Sequence, residues 1–124
     1  MTGILVVSEV YERLQQAMAS DPVGFRELYR DFLADAWQTI AHLRSALELQ
    51  LADEFRSKAH YLKSSCSVLG VRPLAECCTH LEEAGRAANL EAAPAKLAEA
   101  TDLLSSVQAE LERRLGPGVL PQAA

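Results

Sequence analysis

Apolar residues recur along this chain at spacings of three and four, the period of an amphipathic helix, and the pattern breaks into five segments. The first runs from about Ser8 to Met18, with Val7, Val10, Tyr11, Leu14 and Met18 on one side. Asp21-Pro22 then supplies a capping carboxylate and a first-turn proline, a start signal for the second. Phe25, Leu28, Phe32, Ala36, Ile40, Leu43 and Leu47 continue as one stripe, so this helix is the longest and ends near Leu47 to Gln50. A third segment spans Leu51 to Leu69 and stops at Gly70, a favoured residue for closing a helix. Pro73 opens the fourth, whose inner face reads Leu74, Cys77, Leu81, Ala84 and Ala88. The fifth starts between Glu91 and Pro94 and carries Leu97, Ala100, Leu104, Val107 and Leu111, until Gly116-Pro117-Gly118 ends it. No alternating run marks a strand. Short connections between long helices make neighbours antiparallel. The expected fold is all-α: an antiparallel up-down four-helix bundle with an additional short N-terminal helix. Its bounds are a single helical domain over 1–115 and a flexible tail over 116–124.

Composition narrows the reading. The 124 residues suffice for one core, and 49% apolar with 23% charged residues describes a globular chain. With only 6% aromatics, Leu and Ala rather than stacked rings are expected to fill the interior. A formal net charge of −5 repels phosphodiester backbones and acidic headgroups, which argues against nucleic acid and membrane surfaces as partners. The longest strongly apolar run, Ile4 to Val7, is far short of the ~20 residues that span a bilayer. No leader pattern precedes it. Cys66, Cys77 and Cys78 give an odd count with two neighbours adjacent, so a disulfide framework is not expected and a reducing cytoplasm is. Asp and Glu residues are read as solvated faces paired with Arg or Lys. No glycine-rich phosphate loop is present, so no ATP site is expected.

The third helix separates the candidate chemistry from the core. At 100° per residue Phe55, Ala59, Leu62, Cys66 and Leu69 share one stripe, and His60 lies about 140° from its centre. Arg56, Lys63 and Ser64 lie within a turn of it, and Ser67 follows on the same side a turn further. An exposed histidine beside a lysine is by itself ordinary, since polar residues belong on a solvent face. The same set also suits phosphoryl acceptance. Neutral imidazole is a nucleophile near physiological pH, a cation one turn away can pair with phosphoryl oxygens, and small neighbours let a second protein approach in line.

The run Ala59-His60-Tyr61-Leu62-Lys63-Ser64-Ser65 with Gly70 resembles the signature of histidine-phosphotransfer (HPt) domains of two-component phosphorelays, approximately A-H-x-L-K-G-S/A followed by a glycine. Leu74, Cys77, Leu81 and Glu82 resemble the family's run of leucine, cysteine and a leucine-glutamate pair. Phe32-Leu33, Ala36, Ala46 and Asp53 extend the likeness upstream, so that it covers roughly Pro22 to Arg86. The resemblance implies that His60 is the phospho-acceptor, at Nε2, and that Lys63 supports the phosphoryl group. Arg56, Ser64 and Ser67 are then expected to contribute to partner docking. It implies receiver domains of response regulators and a hybrid sensor kinase as partners, a monomeric cytoplasmic carrier, and no cofactor on this chain, the Mg²⁺ residing in the receiver. Ser64 departs from the family's glycine and bears on transfer rate and partner choice.

Two rival readings remain at this stage. One is a non-phosphorylated helical adaptor that docks receiver domains, for which Ser64 is the support. The other is a metal- or redox-sensing bundle built on the cysteines with His80. Cys77 and Cys78 diverge by about 100° on a helix and do not converge on one point, so Cys66 and Cys77 read better as small core residues. His42 and His80 lack a lysine three residues on and are read as surface residues. Trp37 is expected to pack at the edge of the second helix.

Overall fold

The computed structural model describes residues 6–116. The helical periods stand in it as α1 (Ser8–Ala17), α2 (Pro22–Glu48), α3 (Ala52–Leu69), α4 (Arg72–Arg86) and α5 (Ala93–Leu115). Local chemistry sets the boundaries. The Asp21 carboxylate accepts from the Gly24 N–H at 2.9 Å, with Pro22 in the first turn. Proline also sits in the first turns of α4 and α5. Helices α2, α3 and α4 all end in the same double closure, in which two backbone N–H groups turn back onto the last carbonyls. At α3 these are Gly70 N–H to Ser67 O and Val71 N–H to Cys66 O. At α2 they are Gln50 to Leu47 and Leu51 to Ala46, and at α4 Ala88 to Gly85 and Asn89 to Ala84. The closing residue is left-handed each time, with φ of 76° at Gly70, 57° at Gln50 and 53° at Ala88.

Ala88 therefore does not continue the inner face of α4, as the apolar spacing suggested. It lies exposed in the turn beyond the helix, and Cys78, Glu82 and Gly85 join Leu74, Cys77 and Leu81 inside. The flexible tail expected over 116–124 lies, from residue 117 on, outside the described residues.

Helices α2 to α5 form the bundle. Each packs on its sequence neighbour across connections 49–51, 70–71 and 87–92, and α5 closes the ring against α2. Their inner stripes meet in one core where Leu33, Ile40, Leu43, Phe55, Leu62, Leu74, Leu81, Leu104 and Leu111 are shut off from solvent. Burial of each such side chain contributes about 1.5–3 kcal/mol, and that drives the assembly. Leu and Ala dominate, as composition suggested. One corner differs: Tyr11, Phe25 and Tyr29 pack with ring centroids 5.2–5.6 Å apart. The Tyr29 hydroxyl donates to Leu69 O at 3.2 Å, and burial pushes its phenol up to about 12.

The short α1 caps the end of the bundle where α3 turns into α4. Val7 N–H donates to Gly70 O at 2.9 Å, and Val10 sits against Gly70. Val6 is buried, and its N–H donates to Glu110 Oε2 at 2.9 Å. Arg114 reaches Val6 O and Ser8 Oγ and lies 4.8 Å over the Tyr11 ring. Trp37 Nε1 donates to Gln108 Oε1 at 2.7 Å, at the α2–α5 seam. Among the described residues no helix is long and apolar enough to cross a membrane.

Candidate functional site

Helix α3 turns Phe55, Ala59, Leu62, Cys66 and Leu69 into the core, which forces the residues between them outward. His60 follows, with its side chain 58% exposed. The ring leans toward α4, the helix packed most closely on α3. There Glu82 lies about 80° from the centre of the inner stripe, at its edge, by the helical period. It is buried, and its carboxylate emerges beneath the imidazole.

Two cations and an imidazole converge on that carboxylate. Lys63 Nζ sits 2.6 Å from Oε1, while His60 Nδ1 and Arg86 Nη2 each sit 3.0 Å from Oε2. The Lys63 contact first, and the His60 contact after it, hold the Glu82 carboxyl below its usual range despite burial. An ionised carboxylate only accepts hydrogen bonds, so Nδ1 carries the ring hydrogen and donates it. The second nitrogen, Nε2, then keeps its lone pair on the exposed ring. The ammonium of Lys63, half-buried, lies beside the imidazole on the same carboxylate.

The remaining residues singled out in the sequence lie around this group. Arg56 is half-buried one turn before His60, and Ser64 is exposed one turn after it. Ser67 is exposed and returns its hydroxyl to Lys63 O at 2.9 Å. On the other flank of α3 the Tyr61 hydroxyl donates to Asp35 Oδ2 at 2.5 Å, tying α3 to α2, and that bond pushes its phenol up. Below it runs a groove of about 430 Å³ walled by Leu28, Phe32, Val68 and Leu69, with Asp31 and Asp35 at its rim. Val68 is 70% exposed.

His42 and His80 are exposed, as read from the sequence, and His80 Nδ1 lies 4.0 Å from the exposed carboxylate of Glu83. Cys66, Cys77 and Cys78 are all buried free thiols. Cys78 is pushed up by the hydrogen bond its thiol makes to Cys66 and by burial, and Cys77 is pushed up to about 12 by burial. Protonated, enclosed thiols are poor nucleophiles and ligands, and among the described residues no group of three or more His, Cys, Asp or Glu could hold a metal.

One sequence expectation is overturned here: Glu82 is not part of a solvated face, and neither is Glu110, buried against the Val6 N–H. Glu82 belongs to the site, as does Arg86, and the sequence reading assigned neither a role. The available signal was the position of Glu82 at the margin of an otherwise apolar stripe.

A helical bundle that holds one imidazole by Nδ1 and offers Nε2 to solvent beside an ammonium is a histidine module built for group acceptance. The chain belongs to the Hpt domain family, whose model matches residues 27–110, and its function is histidine phosphotransfer in two-component phosphorelays. Among solved structures it is similar to histidine-containing phosphotransfer protein B from Pseudomonas aeruginosa PAO1. The TM-score is 0.85 and the identity 25%, over 92% of this chain and 96% of that one. No curated protein matches.

Proposed function

We propose that His60 is the phospho-acceptor, taking a phosphoryl group at Nε2 from the aspartyl phosphate of one receiver domain and yielding it to another. The Nδ1–H bond to Glu82 carries this reading, because it leaves Nε2 as the free nucleophile. In the forward step the Nε2 lone pair forms the P–N bond as the bond from phosphorus to the aspartyl oxygen breaks, and the carboxylate leaves with that electron pair. The imidazole gains positive charge, so the Nδ1–H···Glu82 bond becomes charge-assisted as the reaction proceeds. Help that grows toward the transition state accelerates the step. Lys63 and Arg86 stand ready to meet the phosphoryl oxygens.

The chain supplies positioning and charge, and the partner supplies the remaining machinery, including Mg²⁺ in its acidic pocket. On this reading the protein is a carrier without an ATP site rather than an enzyme acting alone. It works as a cytoplasmic monomer served by a hybrid sensor kinase and response regulators. Receivers dock over His60 and the apolar groove beside it, with Arg56, Ser64 and Ser67 at the edge of the footprint. Exposure of Val68 next to that groove favours such docking.

Incubation with a phosphorylated receiver and Mg²⁺, followed by mapping, tests the assignment. Acid-labile, alkali-stable label on His60, absent from His60→Gln, is expected. Label on another residue would overturn His60 as acceptor, and a His60→Gln protein that still binds receivers and signals fully would replace the carrier by the adaptor.

A further inference from the structure

We propose that Gly85 is a positioning residue for phosphotransfer: it sets the α3–α4 separation at which Glu82 reaches His60 Nδ1. The inference rests on the assignment of His60 as acceptor and concerns how its reactive nitrogen is selected.

Gly85 lies in the last turn of α4 without a left-handed φ, so backbone freedom is not what calls for glycine there and packing is. The reason is a close approach. A Cβ built on Gly85 would lie 2.7 Å from Arg56 Cβ and 2.8 Å from both Arg56 Cα and N. Two of these atoms are backbone and cannot swing aside. Ordinary carbon contacts need ~3.5–4.0 Å, so a methyl group here must push α4 away or tilt it by something near 1 Å.

The contact and the site are one turn apart on both helices. Glu82 precedes Gly85 by three residues, and His60 follows Arg56 by four. Any displacement at Gly85 is therefore transmitted to the Glu82 carboxylate. The Nδ1···Oε2 distance is 3.0 Å, and a hydrogen bond stretched to about 3.6 Å is no longer one. Lys63 and Arg86 have flexible stems and can follow the carboxylate, whereas the ring, anchored through Cβ to a core-packed helix, cannot. Loss of the contact falls on His60 first. Without that acceptor the imidazole can carry its hydrogen on Nε2, the nitrogen that must be free.

The test uses the full chain carrying Gly85→Ala, Glu82→Gln, or both. In ¹⁵N spectra of the neutral ring, wild type is expected to show His60 protonated at Nδ1, and Gly85→Ala to show a mixture of tautomers. Transfer from a phosphorylated receiver should slow on the order of tenfold in Gly85→Ala. In the Glu82→Gln background the same substitution should add little, because the residue acts through Glu82. A wild-type tautomer in folded Gly85→Ala, or an equal slowing in both backgrounds, would overturn the proposal. If Gly85→Ala does not fold, Glu82→Asp withdraws the carboxylate by one methylene while keeping the helix contact. It should give the same tautomer mixture, and an unchanged ring and rate would likewise sink the idea. Label that persists in His60→Gln would instead defeat the acceptor assignment, so the two failures are separable.

Discussion

A carboxylate withdrawn from water needs its charge met, and Glu82 meets it with an ammonium, an imidazole and a guanidinium. This changes what substitution of Lys63 should do. The helical period alone puts Lys63 on an outward face, from which Lys63→Ala would weaken transfer or phosphoryl retention more than it disturbs folding. With Nζ on a buried carboxylate, it should lower stability by about 1–3 kcal/mol as well as weaken transfer, and urea melts will separate the two effects. The acid side follows from the same contacts. A carboxyl held low in the fold contributes stability that is complete above its unfolded value of 4.5 and disappears as pH falls through the lower folded value. Between about pH 5 and pH 3 wild type should therefore lose urea resistance more steeply than Glu82→Gln, which has no proton to take up there. At this scale His60 and Lys63 were legible because they sit outside the apolar stripe of α3. Glu82 was not, because an acidic residue at the margin of a stripe reads as solvated until the neighbouring helix is known.

Helix existence and start points were legible in the sequence, since they are written in apolar period, Asp21 and the first-turn prolines. Helix ends were legible at α2, whose expected close near Leu47 to Gln50 brackets Glu48, and where a glycine marks the stop. Gly70 does, and its left-handed φ coincides with contact against Val10, where a Cβ would come to 2.8 Å. Gly70→Ala should destabilise by at least ~1–2 kcal/mol in a thermal melt. Ala88 and Gln50 adopt the same left-handed closure without glycine, and for that reason the apolar spacing carried α4 one residue group too far. Ala88 is exposed, so relief of its backbone strain is the main effect of changing it. Ala88→Gly should raise stability by about 0.5–1 kcal/mol, reversing the usual order of these two residues in helices. A lower melting temperature would show that the turn at 88 is not left-handed.

For the molecule as a whole, the bundle architecture was legible because short links between long amphipathic helices leave few alternatives. The clamp between the Val6 segment and α5 was not, since it pairs Glu110 with a backbone group 104 positions away. The groove between α2 and α3 also required the fold, because Leu28 and Phe32 on one wall and Val68 and Leu69 on the other come from two separate helices. Val68 stands at that groove with most of its surface free. Val68→Asp should weaken receiver binding on the order of tenfold by titration. Its effect on unfolding should stay within about 0.5 kcal/mol, as for surface changes generally. The threefold coordination of Glu82 has one more consequence. If one of the two cations is lent to an arriving phosphoryl group, the other still neutralises the anion beneath it while the ring N–H keeps its bond, so loading the ring strands no charge and demands no repacking. Cargo can then arrive and depart over an unaltered scaffold. Downstream proteins would distinguish the laden form from the empty one by the group itself and not by any change of shape.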